Sequence, residues 1–198
     1  MARNKTKKAS GKASGIADAM RRLKAWMTKN GAPLLVKNLA KGAKPVRLRN
    51  AARHFGFPIP AELQALWSLH DGQREEMNGF VRSLDFLGTK EALARKKNLA
   101  PFVTFLVEGR AEYPHEWKES GVANDEANPD LWIPIAARDS DFIAVSAVTG
   151  RVFTVGKDAP SLHLLAPSVS AWLTKYADDV EAGKYEVAEG FGDYYLTS

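Results

Sequence analysis

Apolar residues return every three or four positions over residues 16–29, where Ile16, Met20, Leu23 and Met27 share one face and Trp26 borders it. Arg21, Arg22, Lys24 and Lys29 take the opposite face, and Asn30-Gly31 followed by Pro33 stops the pattern. This predicts an amphipathic helix docked on its own domain. Leu34, Leu35, Val36 and Leu39 predict a shorter helix and then a loop through Gly42 and Pro45. Residues 46–56 repeat the helical period, with Leu48, Ala51, Ala52 and Phe55 inward, Arg47, Arg49 and Arg53 outward, and Gly56 as the stop. Pro60 then suits the first turn of a helix that carries Leu63, Leu66, Trp67 and His70 on one face and ends at Asp71-Gly72.

Beyond residue 79 the period changes. Leu84 and Phe86 alternate with polar neighbours over 79–87, which predicts a short strand. Glu91 to Lys97 predicts a helical turn or two with Thr89 as a possible cap. The run Phe102 to Val107 suits a strand or a helix, because periodicity does not separate the two over so few residues. Residues 108–130 are polar and predict an irregular, partly helical excursion. Trp132-Ile133-Pro134-Ile135-Ala136 predicts a strand, with Pro134 requiring an edge or a bulge. Phe142 to Val148 and Arg151 to Val155 predict a hairpin around Thr149-Gly150. The last helix is predicted over 167–182, opened by Pro167, closed by Gly183, and buried through Val169, Trp172, Leu173, Tyr176 and Val180. Phe191, Tyr194 and Tyr195 predict an aromatic tail that packs back.

Charge divides this chain of 198 residues. Residues 1–50 hold 14 Lys/Arg against Asp18, a net of +13, and residues 51–198 hold 14 against 22 acids, a net of −8. The first 15 residues repeat Lys-Ala-Ser-Gly, contain no acid and have too little apolar content for a core, so they are expected to be a disordered basic tail, with one α+β domain over 16–198. Three readings of the tail stand side by side: an electrostatic arm for nucleic acid or an acidic protein, a solubilising extension, and a transit peptide. As an arm, its phosphate-facing residues are Arg3, Lys5, Lys7, Lys8 and Lys12.

Candidate chemistry is sparse. The absence of cysteine removes disulfides, thiolate nucleophiles and Cys-ligated metal, and suits a reducing, cytoplasmic setting. The four histidines, His54, His70, His115 and His163, are scattered, and His115-Glu116 lacks the second His of a zinc-protease helix, so no metal is expected. Neither a phosphate loop nor a nucleophile elbow is present, and no cofactor or enzymatic activity is called for. No apolar run reaches membrane-spanning length, no secretory signal is seen, and nothing in the pattern sets an oligomeric state.

The segment Phe57-Pro58-Ile59-Pro60-Ala61-Glu62-Leu63, with Leu66-Trp67-Ser68-Leu69-His70-Asp71-Gly72-Gln73, resembles the signature of the SUKH superfamily, which includes a yeast cell-wall-synthesis regulator and many bacterial toxin-immunity proteins. Phe86-Leu87 before Glu91-Ala92, Trp132-Ile133-Pro134-Ile135 with Asp139, Ile143, Val145, Gly150 and Val152, and Ala166-Pro167-Ser168-Val169 with Trp172-Leu173 and Gly183-Lys184-Tyr185 follow in the family's order. The chain departs from the family at Ser146, where an Asp is common, and at Arg49 and Arg53, in a helix where a Glu is common.

The resemblance implies an α+β domain with a mostly antiparallel or mixed sheet and helices packed on one side. It also implies a non-catalytic role, binding and neutralising a cognate protein toxin. Nucleic-acid-cleaving toxins tend to be basic, which an acidic surface complements. The expected partner-binding residues are Glu108, Glu112, Glu116, Glu119, Asp125, Glu126 and Asp130, with Glu75, Glu76, Asp139 and Asp141 at the rim. The alternative is a nucleic-acid-associated or regulatory scaffold that uses the basic arm.

Overall fold

A computed structural model describes residues 3–75, 79–112, 114–156, 161–190 and 193–197, with the side chains of residues 3–13 and a few other positions outside that description. The helices are α1 (Arg3–Lys29), α2 (Pro33–Asn38), α3 (Pro45–Phe55), α4 (Ala61–Leu69), α5 (Thr89–Gly109), α6 (Pro114–Ser120) and α7 (Val169–Glu181). The strands are β1 (Asp85–Phe86), β2 (Trp132–Arg138), β3 (Asp141–Ser146), β4 (Val152–Gly156), β5 (Ser161–Ala166), β6 (Glu186–Gly190) and β7 (Asp193–Thr197). Strands β1 to β5 form one sheet in chain order, every pairing antiparallel, and β6 and β7 form a separate hairpin. This is an α+β domain, and its sheet is antiparallel and not mixed.

The predicted apolar faces become the core. Ile16, Met20, Leu23 and Met27 are buried along α1, which packs against α7 and α4. Among its described side chains Ile16 is the first buried one, and the backbone of the helix runs from Arg3. Arg22 on the polar side of α1 reaches α7, where it pairs with Asp178 at 2.6 Å and with Glu181. These two carboxylates hold the guanidinium well above its ordinary pKa, and the same contact holds the Glu181 carboxyl below its own. Strands β2 and β3 are buried along both faces, so Trp132, Phe142 and Phe153 all lie in the interior, with the rings of Trp132 and Phe153 4.8 Å apart.

Several elements differ from the sequence pattern. Residues 79–87 give only the two-residue β1, because Arg82 adopts a positive φ of 56° and the chain folds on itself through a Val81–Leu84 bridge. The buried Tyr176 hydroxyl secures that fold. It accepts from the Arg82 amide at 2.9 Å and donates to the Phe80 carbonyl at 3.2 Å, and burial raises its pKa. The helical turns predicted over 91–97 and the undecided run 102–107 belong to the single helix α5, which runs through Pro101. Ala92, Leu99 and Val103 are its buried stripe, whereas Pro101 faces outward, where loss of one helical hydrogen bond is tolerated. The cap of α5 is Gly88 and not Thr89. Pro134 sits at a register shift between Pro134 and Ala136 in a strand flanked on both sides. Pro134 thus meets both conditions that a strand proline tolerates, a bulge and a side left unpaired because β1 is too short to reach it. Strand β5 and the β6–β7 hairpin had no counterpart in the sequence reading.

Candidate partner-binding surface

The turn that ends α4 is a crossing point of three chain segments. Its His70 has extended backbone and Gly72 a φ of +78°, so the chain reverses sharply. A Cβ on Gly72 would strike the Gly88 amide, so only glycine lets the turn and the start of α5 approach this closely. The Ala40 amide donates to the Gly72 carbonyl at 2.9 Å, the Ala43 amide to Trp67 at 2.8 Å and the Gln73 amide to Phe86 at 2.9 Å. Trp67 is fully buried, and its indole N–H donates to the Leu87 carbonyl at 2.9 Å.

The polar side chains of the turn serve the same junction. Asp71 is buried; its Oδ1 accepts from the Thr89 amide at 2.7 Å and its Oδ2 from Thr89 Oγ1 at 3.3 Å. Arg47 Nε, from α3, lies 2.6 Å from Asp71 Oδ2 and donates to Thr89 Oγ1 at 2.9 Å. Gln73 Oε1 accepts from the Phe86 amide and its Nε2 donates to Asp85 Oδ1 at 2.7 Å. His70 Nδ1 lies 2.9 Å from the Ala40 carbonyl, which can only accept, so Nδ1 carries the proton. Its Nε2 then accepts from Lys24 Nζ at 3.2 Å. Desolvation lowers the His70 pKa, and the Lys24 charge adds to that. His70 and Asp71 are adjacent in sequence but turn to different partners, so they form no proton relay.

The candidate partner-binding acids form no single cluster: those of 108–130 precede β2, Asp139 and Asp141 follow it, and Glu75 lies in a separate loop. Glu108 ends α5, Glu112 follows it, Glu119 lies on α6, and Asp125 and Asp130 lie on short 3-10 turns before β2; all five are exposed. The position of Glu116 is on α6, and its side chain lies outside the described residues. Asp139 and Asp141 sit at the β2–β3 turn, exposed, at the far end of β2. The seven residues of β2 put its two ends, after Asp130 and before Asp139, about 20 Å apart. Glu75 is exposed, in a loop bonded to Asn38 through its amide and carbonyl; Glu76 lies outside the described residues.

Glu126 is a correction. It is fully buried, so it presents no carboxylate to a partner. It accepts from the Ala123 amide at 2.9 Å, from Arg151 Nη1 at 2.7 Å and from the Thr149 hydroxyl. Arg151 also donates to the Gly121 carbonyl and stacks 5.1 Å from the Phe153 ring centroid. The acid thus fastens the 121–126 loop to the β3–β4 turn. Its sequence neighbour Asp125 points out, and local composition does not separate the two.

Arg3, Lys5, Lys7, Lys8 and Lys12 occupy the first turns of α1, and their side chains lie outside the described residues. Other basic residues of the first fifty belong to the folded body, where Arg22, Lys24 and Arg47 each hold a partner from a distant segment. Among the described residues no group of three or more His, Cys, Asp or Glu could hold a metal ion, and no helix is long and apolar enough to cross a membrane.

The antiparallel α+β fold is the one that the resemblance to the SUKH superfamily implied. The chain belongs to the SMI1 / KNR4 family (SUKH-1), which it matches over residues 42–175. No curated protein matches it.

Proposed function

We propose that this protein is a non-catalytic, immunity-type binding protein that neutralises a cognate bacterial toxin of the nuclease class by covering it. The observation that carries this reading is the exposure of Glu108 at the end of α5 and of Glu112, Glu119, Asp125 and Asp130 between α5 and β2, where Arg110 and Lys118 are the only Lys or Arg residues. A nuclease must hold a polyanion in a basic cleft. A carboxylate-rich surface is steered to that cleft and occupies it in place of the substrate. Membership of a family that includes immunity proteins supports the same reading, and the role places the protein in the cytoplasm, where a delivered nuclease acts.

The test is protection. Any toxin domain found encoded beside this reading frame is produced in cells with and without the protein. Reversal of the five exposed acids to Lys is expected to abolish protection while the melting temperature stays within a few degrees of wild type. Protection that survives the reversal removes the acidic excursion as the site. Failure of the wild-type protein to protect removes the function.

The basic arm supports a second reading, a nucleic-acid-associated scaffold. Arg3, Lys5, Lys7, Lys8 and Lys12 stand without an acid before Asp18. Under this reading, deleting residues 1–15 removes a salt-sensitive DNA or RNA affinity; under the first, protection is unchanged by the deletion.

A further inference from the structure

Helix α3 is flanked by two grooves. One, of about 440 Å³, lies between Pro45, Leu48 and Ala52 on its side and Ile59, Gln64 and Ala65 on the other. The second, of about 410 Å³, lies between Asn50 and His54 of α3 and Thr89, Lys90 and Leu93 of α5. The helix between them is basic at its surface. Segments 41–54 and 89–97 together hold nine Lys/Arg against Glu91 alone. Arg47 is committed to Asp71 and Lys96 lies over the Phe57 ring at 4.9 Å. Arg49, Arg53 and Lys90 are exposed and take no part in the ion pairs among the described residues. Val46 is 52% exposed on the same helix.

We propose that α3 and its grooves form a second docking face, which receives an acidic amphipathic segment of a partner protein. Its carboxylates meet Arg49, Arg53 and Lys90, and its apolar side chains enter the groove between α3 and α4. This goes beyond the acidic excursion, because the face is opposite in charge and is built from other elements. Charge complementarity fixes the sign of the occupant, and the apolar lining decides between a protein and a nucleic acid. Single-stranded nucleic acid seeks open aromatic platforms beside its phosphates. Here Phe55 is buried, and Phe57 stacks on it at 5.6 Å with Lys96 over its ring, so no open platform is offered.

Three fluorescent probes test this on the full chain by anisotropy: a Glu/Leu peptide of about 20 residues with its leucines on one helical face, the same composition scrambled, and a duplex DNA of equal charge. The amphipathic peptide is expected to bind at least tenfold more tightly than the scrambled one, and Arg49→Glu/Arg53→Glu to weaken it at least tenfold. The exposed position of both arginines keeps the variant folded, which circular dichroism checks, and Arg49→Gln/Arg53→Gln gives the same test without charge reversal. The basic arm is present in every protein compared, so its contribution cancels. Equal affinity for the two peptides, or no change in the variants, overturns the proposal. Tighter binding of DNA that the same substitutions abolish overturns it in favour of nucleic acid. Concentration-dependent self-association in sedimentation, lost in the variants, overturns it in favour of a second copy of the chain.

Discussion

Replacing Asp71 separates two accounts of what holds the turn at the end of α4. The carboxylate is 4% exposed and holds the amide and hydroxyl of Thr89, whereas its charge partner Arg47 is 51% exposed. In Asp71→Ala the Arg47 guanidinium returns to water at little cost, but the buried Thr89 amide loses its acceptor. An unsatisfied buried donor costs about 1–3 kcal/mol, and the charge-assisted bond to Thr89 is worth somewhat more than a neutral one. The expected loss is about 3 kcal/mol, a fall in melting temperature of about 6–12 °C for a domain of this size. Asp71→Asn keeps an acceptor for the amide and is expected to cost about 1 kcal/mol. Arg47→Ala is expected to cost no more than about 1–2 kcal/mol, because water can approach from the exposed side of the pair. Urea unfolding of the three variants measures the order directly. If Arg47→Ala costs as much as Asp71→Ala, the ion pair and not the Thr89 bonds holds the junction, and the reasoning fails.

Two further outcomes are expected. Glu126→Ala breaks a buried carboxylate from Arg151, so unfolding free energy falls by about 3–5 kcal/mol; a variant of wild-type stability in denaturant titration would return Glu126 to the candidate surface. His70 has a lowered pKa in the folded protein, so the unfolded chain takes up its proton first as pH falls below about 6.5. Its contribution is therefore intact above that pH and is lost as pH drops toward the folded pKa. The acid-induced fall in melting temperature between pH 7.5 and 5 is then expected to be smaller in His70→Gln, and an identical fall in the two proteins refutes the role of His70.

The candidate acids show how far local composition reaches. Exposure of Glu108, Glu112, Glu119, Asp125 and Asp130 follows from a polar excursion with few apolar anchors. That Glu126 turns inward depends on Arg151, 25 positions away, and on a loop that closes over it. That Asp139 and Asp141 stand apart from the rest depends on the length of β2, which runs to Arg138, two residues beyond the Trp132–Ala136 strand that the pattern predicts.

The sequence by itself determined the helices with long apolar stripes, the β2–β3–β4 meander and the family. Helical and strand periods are local properties, and the Leu-His-Asp-Gly-Gln turn needs glycine where its backbone is left-handed. Only the tertiary structure decided the rest. It joined the helical turns of 91–97 and the undecided run 102–107 into α5, because a buried stripe through Ala92, Leu99 and Val103 outweighs one proline. It formed β5 on the edge of β4, where pairing and not propensity selects the strand. It placed the basic α3 beside the basic start of α5, which turns two charge runs 40 residues apart into one face. Such pairings arise from packing between distant segments, and no local pattern encodes them.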